Sequence, residues 1–210
     1  NANTAEMCKL TENSFRDVNI AFANELSIVC HEYDINEREL IKLANFHPRV
    51  NILQPGVGVG GHCIAVDPWF LISDLPNQTK LIKSAREVNL NKTEWVIEKI
   101  IQKINHFKME SKLDPKIACM GVSFKPNVDD LRESPALEVA LKLKDLYQEV
   151  LIVEPNIQKS DNFELAELEF ALSAADIFIF LVGHDDFSSE RVVTVVKSKS
   201  YIDFTGVTDS

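Results

Sequence analysis

A glycine-rich stretch that ends in a cysteine carries the residue types best suited to chemistry in this chain. Residues 54–68 read QPGVGVGGHCIAVDP and place four glycines before Cys63. Glycines at this density indicate backbone at unusual φ, or backbone that approaches another group closely. Asp67 and Pro68 predict the N-cap and first turn of a short helix. Because a helix N-terminus favours negative charge, a thiol beside it is placed to ionise to the nucleophilic thiolate.

The same stretch has a plainer interpretation, which is a tight turn that contains a small buried cysteine. The other cysteines, Cys8, Cys30 and Cys119, lie in apolar periodic segments and lack the spacing of metal ligands. They are therefore expected to be buried and reduced, and no metal site is predicted. Reduced thiols fit a cytoplasmic location.

Two long helices are predicted to position the glycine-rich stretch. Apolar residues recur at three- and four-residue steps over 4–33, with Thr4 as N-cap, and again over 79–107. Lys9 and Asn13 are four residues apart and share one face of the first helix, although a lone lysine there could simply be solvated. Shorter helices are predicted at 36–45 and 68–75. Long helices with little sheet favour a dimerisation core, because each offers an apolar stripe to a second copy.

After a polar linker at 108–115, short apolar strands alternate with helices. Strands are predicted at 116–122, 150–153, 177–182 and 201–204, and helices at 134–147, 163–172 and 188–197. This alternation predicts a parallel, Rossmann-like sheet. The chain is therefore expected to be α/β, with an all-helical dimerisation domain at 1–110 that carries the thiol and a Rossmann-like domain at 111–210.

The loop after the first predicted strand is a candidate anion site. Residues 123–134 read SFKPNVDDLRES and place Lys125 and Arg132 before a predicted helix N-terminus. In parallel sheets, ligands bind beyond the carboxyl ends of the strands, where this loop lies. The loop is not a Gly-x-Gly-x-x-Gly fingerprint, so its spacing alone does not identify a dinucleotide site.

The net charge and the lengths of the apolar runs limit the classes of partner that the chain is expected to bind. The net charge of −10 argues against nucleic acid and anionic membrane surfaces. No apolar run approaches the roughly 20 residues needed to cross a bilayer. Since most of the acidic excess follows residue 110, an anionic ligand there would need locally placed cations.

Three motifs occur in order and together resemble the UDP-glucose/GDP-mannose dehydrogenase family. They are TAEMCKLTEN at 4–13, GVGGHCIAVD at 58–67 and FKPNVDDLRES at 124–134. The resemblance covers nearly the whole chain. The sequence at 47–56 and 62–69 is most similar to that of members that act on UDP-N-acetyl-D-mannosamine. UDP-N-acetylglucosamine and UDP-glucose remain open as substrates.

The resemblance implies a protein of three parts. Family members have an N-terminal Rossmann domain that binds NAD, a helical central domain that dimerises, and a C-terminal domain that binds UDP. These 210 residues contain no such N-terminal domain, with its glycine fingerprint and catalytic glutamate. The chain is therefore expected to be a fragment that oxidises nothing by itself, taken from a cytoplasmic enzyme of polysaccharide biosynthesis.

The implied reaction is NAD-dependent, four-electron oxidation of a sugar C6 alcohol to the uronate. Cys63 matches the nucleophile that holds the aldehyde as a thiohemiacetal and then as a thioester. Lys9 would stabilise alkoxide character, and Asn13 would hydrogen-bond the reacting oxygen or a water. Asp67 would position or deprotonate water. His62 is interpreted as shaping the substrate pocket.

The resemblance also implies contacts to substrate and cofactor. Arg49 would reach the sugar of a neighbouring subunit, Lys125 would contact the nucleotide, and Arg132 would contact the NAD pyrophosphate. The implied substrate-binding residues are Arg49, Gly58, Gly60, Gly61, Phe124 and Lys125. Three further histidines, His31, His106 and His184, have no companions in the sequence and are interpreted as structural or exposed.

Two hypotheses of different classes follow. One is the thiol and substrate half of a UDP-sugar 6-dehydrogenase, and the other is an inactive, dimeric UDP-sugar-binding scaffold. They agree on the site and differ on whether NADH forms. A Cys–His hydrolase is disfavoured, because no Asp/Asn–His arrangement in the sequence would hold a base against Cys63.

Overall fold

A computed structural model describes residues 1–209, which divide into compact units at 1–92 and from residue 93 onward. The helices are α1 (Ala2–Glu32), α2 (Glu37–Ala44), α3 (Asp67–Asp74), α4 (Lys80–Ser111), α5 (Pro135–Leu146), α6 (Leu168–Ala174) and α7 (Glu190–Lys197). The strands are β1 (Ile117–Met120), β2 (Val150–Val153), β3 (Ile177–Phe180) and β4 (Ser200–Asp203). Short 3-10 helices lie at Asp185–Ser188 and Val207–Asp209. This arrangement confirms the predicted class, a helical region followed by a parallel-sheet region.

Helix α1 begins two residues earlier than the apolar pattern indicates. The Asn1 side chain accepts a hydrogen bond from the Thr4 backbone N–H at 2.9 Å, so Asn1 is the N-cap and the prediction of Thr4 was wrong. An asparagine oxygen satisfies an otherwise unpaired N–H of the first turn.

The buried face of α1 is unexpectedly polar. Its buried residues are Asn13, Ser14, Asp17, Ala21, Ala23, Asn24, Ser27 and Cys30. The apolar residues that carried the helix prediction lie largely on the other side: Phe15, Phe22 and Val29 are 67%, 57% and 45% exposed. They stand seven residues apart and therefore share one side of the helix.

Helix α4 is longer than predicted, and the expected linker is correspondingly shorter. The helix continues to Ser111. Beyond residue 92 its buried residues include Val96, Ile100 and Ile104. The compact units therefore divide inside α4, whereas the pattern change in the sequence falls after it.

The second unit is built on four parallel strands in the order β2-β1-β3-β4. Strands β1 and β3 are buried along their whole length. The Ser134 side chain caps α5, and Pro135 lies in its first turn. The predicted helix at 163–172 begins only at Leu168. Before it, the Ala166 N–H bonds to the Ile152 carbonyl and keeps the chain beside β2.

Two properties of the described residues bear on partners. None of the helices in this part of the chain is both long and apolar enough to cross a membrane. Residues 1–209 also contain no group of three or more His, Cys, Asp or Glu residues placed to hold a metal ion.

Cys30 and Cys119 are buried, and burial raises the pKa of each thiol, that of Cys119 to about 12. Cys8 is exposed, so the expectation that it is buried was wrong.

Candidate active site

The glycine-rich loop delivers Cys63 to the start of α3. The Cys63 carbonyl accepts hydrogen bonds from Val66 N–H at 3.2 Å and Asp67 N–H at 2.8 Å, which begins the helical turn. The Cys63 side chain is half-buried. Gly61 is buried with a φ of 84°, a conformation that a side chain would strain. The loop can therefore turn sharply just before the thiol.

The sequence predicted that Asp67 caps α3, and this was wrong. Asp67 is the first residue of the helix, and the N-cap residue Val66 makes no side-chain capping hydrogen bond. The Asp67 carboxylate instead accepts a hydrogen bond from the Asn13 side-chain amide at 2.5 Å. Asn13 is 3% exposed, so this bond forms in a largely desolvated place. Two residues predicted separately to serve the reaction are thus in direct contact.

Lys9 and Arg49 are positioned less tightly. Lys9 is exposed one turn before Asn13 on α1, and its Nζ is 3.9 Å from a Glu12 carboxylate oxygen. Arg49 is exposed after α2, and its backbone N–H bonds to His47 Nδ1 at 3.3 Å. Both side chains are accessible to a ligand. The structure places neither in contact with Cys63.

A buried polar cluster, the α1–α4 seam, orients the helix that carries Lys9 and Asn13. It consists of Asp17, Asn24, Ser27, Arg86, Asn89 and Lys92. Arg86 Nη1 and Asn89 Nδ2 donate to Asp17 Oδ1 at 2.7 and 2.8 Å, and Asn24 Nδ2 donates to Asn89 Oδ1 at 2.9 Å. Burial raises the pKa of the Asp17 carboxyl above its usual value, although the charge and hydrogen bonds of Arg86 oppose that shift.

The seam also anchors the glycine-rich loop. Asn24 Oδ1 accepts the Gly56 backbone N–H at 2.9 Å. Just before the loop, the Asn45 side chain bonds both to Ile52 N–H at 2.7 Å and to the Ile52 carbonyl at 3.0 Å. These bonds satisfy backbone groups that a loop without regular structure would leave unpaired.

The second unit carries a separate buried polar group at the carboxyl ends of its strands. Glu154 follows β2 and His184 follows β3, with His184 Nε2 and Glu154 Oε2 3.0 Å apart. Both side chains are fully buried. Burial alone would raise the pKa of the Glu154 carboxyl, but hydrogen bonds from His184 and from the Val122 and Asn156 backbone N–H groups hold it below its usual value.

The predicted nucleotide residues lie in the loop that follows β1. Lys125 is exposed with its Nζ 5.4 Å from the centroid of the half-buried Phe124 ring. Arg132 is exposed, and its guanidinium bonds to the Asp130 carboxylate at 2.6 to 3.1 Å. Lys125 is therefore open to an anion, whereas Arg132 would have to share its charge with Asp130.

Sequence reasoning missed the contacts of His184. That histidine was interpreted as having no companions, and this was wrong: Glu154, Ser123, Asn127 and Asn156 surround it. A signal was present, because Glu154 and His184 each follow a predicted strand of the parallel sheet. The carboxyl ends of parallel strands lie at one edge of a sheet.

Comparison with known proteins identifies the family of this chain. Residues 3–91 match the central domain of the UDP-glucose/GDP-mannose dehydrogenase family, and residues 118–210 match the family's UDP binding domain. The chain belongs to this family. The resemblance drawn from the three motifs is thereby confirmed.

Individual relatives share much of the chain. The UDP-N-acetyl-D-mannosamine dehydrogenase of Campylobacter jejuni is 58% identical over 205 residues, 92% of this chain and 49% of the relative. The NDP-N-acetyl-D-galactosaminuronic acid dehydrogenase of Ralstonia nicotianae is 55% identical, over 89% of this chain and 44% of the relative. The chain therefore spans about half the length of the curated relatives it matches.

Solved structures show the same fold. The structure of UDP-D-ManNAc dehydrogenase from Pyrococcus horikoshii superposes with a TM-score of 0.80 at 36% identity, covering 94% of this chain and 46% of the other. The match extends over both units of the family member described here. The helical unit followed by a Rossmann-like unit is thus an arrangement found in dehydrogenases.

Proposed function

We propose that this chain supplies the catalytic thiol and the nucleotide site of a UDP-N-acetyl-D-mannosamine 6-dehydrogenase. The observation that carries the proposal is the Asn13–Asp67 hydrogen bond at the start of the helix that follows Cys63. It joins two predicted active-site residues that are far apart in sequence, and the Asp67 backbone N–H bonds to the Cys63 carbonyl at 2.8 Å. The similarity to relatives of that name supports the choice of sugar.

In the proposed reaction, Cys63 holds the intermediate between two oxidations. The C6 alcohol loses a proton and a hydride and becomes an aldehyde. The Cys63 sulfur adds to the aldehyde carbon to form a thiohemiacetal, and loss of a second hydride and proton gives a thioester. Water then cleaves the C–S bond, which releases the carboxylate and regenerates the thiol. The sugar thus gives up four electrons without release of the aldehyde.

The neighbours of Cys63 have separate roles in this scheme. Lys9 is exposed on α1 and would stabilise negative charge on the reacting oxygen. Asp67 would position and deprotonate the water that attacks the thioester. Asn13 donates to Asp67, so it fixes the orientation of that carboxylate while its remaining capacity is directed to the reacting oxygen or a water.

NAD, when bound, would supply the acceptor for the two hydrides. Within this chain, exposed Arg132 is the residue that would contact the cofactor's pyrophosphate, and the Asp130 carboxylate beside it would have to move or share its hydrogen bonds. One arginine is too small a donor set for a dinucleotide. We therefore assign most of the NAD site to sequence that the longer relatives have outside the region matched here.

The second unit is proposed to bind the UDP part of the substrate. Its residues match the family's UDP binding domain, and exposed Lys125 lies at the carboxyl ends of the strands. Phe124 would pack against the ligand beside it. In the first unit, Gly58, Gly60 and Gly61 would let backbone N–H groups approach the sugar.

A homodimer formed through the helical unit is also proposed. The stripe of Phe15, Phe22 and Val29 on α1 leaves an apolar surface exposed to solvent within one copy. A second copy would cover it, and Arg49 is proposed to reach the partner's sugar from this unit. A reduced Cys63 requires a reducing compartment, which supports a cytoplasmic location.

A non-catalytic scaffold is the second candidate function of the 210 residues taken alone. It is favoured by the coverage of only about half of the curated relatives' length. In that case the chain would bind UDP-sugar and form no NADH. The two candidates differ in one measurement, which is NADH formation.

The deciding experiment follows NADH release by a protein that contains this chain and an NAD-binding domain. UDP-N-acetylmannosamine, UDP-N-acetylglucosamine and UDP-glucose are compared as substrates. Two NADH per sugar, fastest with the first substrate, are expected. One NADH with free aldehyde would contradict the thiol's role, and no preference for acetamido sugars would contradict the choice of substrate.

Replacing the thiol tests the mechanism directly. Cys63→Ala and Cys63→Ser are each expected to stop formation of the carboxylate, because neither side chain can form the thioester intermediate. Cys8→Ala is the control, since that exposed cysteine has no proposed role. Full turnover by Cys63→Ala, measured as uronate formed per enzyme, would rule out covalent catalysis by this residue.

A further inference from the structure

The buried His184 and Glu154 side chains lie beneath the loop that carries Lys125. Glu154 Oε2 accepts the backbone N–H groups of Val122 and Ser123 at 2.8 and 2.9 Å, in addition to the contact with His184. These hydrogen bonds hold the chain where it leaves β1 for the loop. Glu154 Oε2 is therefore committed to the start of the loop and to His184.

The hydrogen bonds of His184 define its tautomer. The Asn127 backbone N–H lies 3.0 Å from Nδ1 and can only donate, so Nδ1 must carry a lone pair. The Asn156 side-chain amide, 2.9 Å away, is a second donor to the same nitrogen. Nε2 then carries the proton and donates to the Glu154 carboxylate. Neutral His184 thus connects a buried carboxylate to a loop amide.

The first part of this loop, residues 123–127, is held at both ends by this cluster. At its start, Ser123 N–H bonds to Glu154, and the Ser123 hydroxyl donates to the Lys125 carbonyl at 2.8 Å. At its far end, Asn127 has a left-handed φ of 60° and donates to His184. The Asn127 side-chain oxygen also accepts Asp185 N–H at 3.1 Å. Phe124 and Lys125 lie between these two attachments.

Close packing fixes the histidine ring as well. A Cβ placed on Gly121, whose φ is 83°, would lie 2.7 Å from Val182 and 3.0 Å from His184 Cδ2. The Phe187 ring packs edge-on against the imidazole, with 5.4 Å between centroids. Since His184 is fully buried, it has little freedom to turn away from Asn127.

We propose that His184 is a positioning residue for the nucleotide: its Nδ1 lone pair holds Asn127 and thereby keeps Phe124 and Lys125 arranged to receive UDP. The proposal rests on the assignment of UDP to this loop. Its distinctive content is that one nitrogen of the ring serves ligand affinity and the other serves the stability of the fold. The two effects should therefore separate in suitable variants.

Two substitutions separate the nitrogens. His184→Asn keeps an acceptor near the Nδ1 position and removes the donor to Glu154. His184→Gln keeps a donor near the Nε2 position and removes the acceptor for Asn127. His106→Gln is the matched control, because His106 is 61% exposed on α4 and pairs only with Glu110 among the contacts described. UDP affinity is measured by calorimetry on the whole chain, with thermal unfolding of each variant alongside.

The proposal predicts opposite patterns for the two variants. His184→Gln should stay close to wild type in melting temperature and bind UDP about tenfold more weakly, as expected for one lost positioning hydrogen bond. His184→Asn should melt lower and keep UDP affinity within about threefold of wild type. Equal UDP affinity in His184→Gln and wild type, or equal losses of affinity in both variants, would overturn the positioning role.

A measurement on the wild-type chain covers the case in which a variant does not fold. Nitrogen-15 chemical shifts of His184 should show an unprotonated Nδ1 and a protonated Nε2 at neutral pH, whereas the reverse tautomer would overturn the proposal. Failure of the wild-type chain to bind UDP would instead contradict the proposed function. The two failures are thus distinguishable.

Discussion

At the scale of single residues, the contact between Asn13 and Asp67 is the feature of the thiol site with the clearest consequence. The two residues are 54 positions apart, and their side chains meet at 2.5 Å with Asn13 buried. Asn13→Asp would set two carboxylates against each other, and we expect it to lower the free energy of unfolding by about 1–3 kcal/mol. Urea denaturation at pH 7.5 measures this loss.

Exchanging the two side chains tests structure and catalysis separately. The double variant Asn13→Asp, Asp67→Asn restores one donor and one acceptor, so much of the lost stability should return. Turnover should not return, because the carboxylate proposed to act on water would now lie on α1. Full recovery of turnover in the exchanged protein would show that the position of the carboxylate is unimportant, against the role given to Asp67.

The contacts also show what sequence can predict about a site. Cys63, Asn13 and Asp67 were predicted from their motifs, but the spacing does not reveal that the Asn13 side chain bonds to Asp67, which was expected to cap α3. The His184 cluster is harder still, since its members come from three strand ends that only the folded sheet brings together. Residue types at strand ends are visible in a sequence, while the pairs they form depend on register and rotamer.

At the scale of elements, the α1–α4 seam contains a lysine in an unfavourable place. Lys92 is 2% exposed, and its Nζ donates to the Ser27 hydroxyl at 2.9 Å. Burial lowers the pKa of Lys92 to about 7, partly opposed by the nearby Glu37 carboxylate. The folded protein therefore binds this proton less tightly than the unfolded chain does.

The lowered pKa gives a pH dependence of definite sign. Between about pH 7 and the ordinary lysine pKa near 10.4, the unfolded chain binds more protons than the folded one, so stability rises with pH. Below about pH 7 both states are protonated and the cost of burial is present in full. Lys92→Met should remove that cost, raise stability at pH 6 by about 1–3 kcal/mol, and abolish this contribution to the rise.

Denaturation of wild type and Lys92→Met at pH 6, 7.5 and 9 measures the effect as a difference between the two proteins. Ser27 keeps its own hydrogen bond to the Asn24 carbonyl in the variant, so no hydroxyl is left unsatisfied. Lys83→Met is the control, because Lys83 is exposed on the same helix. A stability difference that stays constant with pH would contradict the lowered pKa.

The seam also explains an incomplete helix prediction. Periodicity placed α1 correctly, but it assigned no special role to the polar residues that α1 buries against α4. A pattern of apolar residues locates a helix without stating which side faces the protein's own interior. Buried hydrogen-bonding partners such as Arg86 and Asn89 can turn the polar side of a helix toward the interior and leave its apolar side exposed.

At the scale of the whole molecule, the order of elements was the most predictable property. Four short apolar strands separated by helices predict a parallel sheet, because parallel strands need crossover connections of this length. The division into units was less visible, since α4 is continuous in sequence pattern while its residues beyond 92 belong with the second unit. The exposed apolar stripe on α1 has no packing partner within the unit that contains it.

The stripe predicts the oligomeric state. If Phe15, Phe22 and Val29 face a second copy, Phe15→Glu with Phe22→Glu should place charges in an apolar interface and convert the dimer to a monomer of 23.7 kDa. Sedimentation velocity at micromolar concentration, or light scattering after gel filtration, measures the mass. Thermal unfolding of the variant should change little under monomeric conditions, because both side chains are already exposed within one copy.

The matched control carries the same substitution outside the helical unit. Phe170 on α6 is 52% exposed, so Phe170→Glu introduces one of the two charges without changing α1. It should remain dimeric. A wild-type chain that is monomeric throughout the concentration range, or a Phe15, Phe22 variant that stays dimeric, would show that this stripe is not the interface. Loss of UDP-sugar turnover together with the dimer would further connect the interface to Arg49, whose exposed position on the same unit is the basis for assigning it to a partner's sugar.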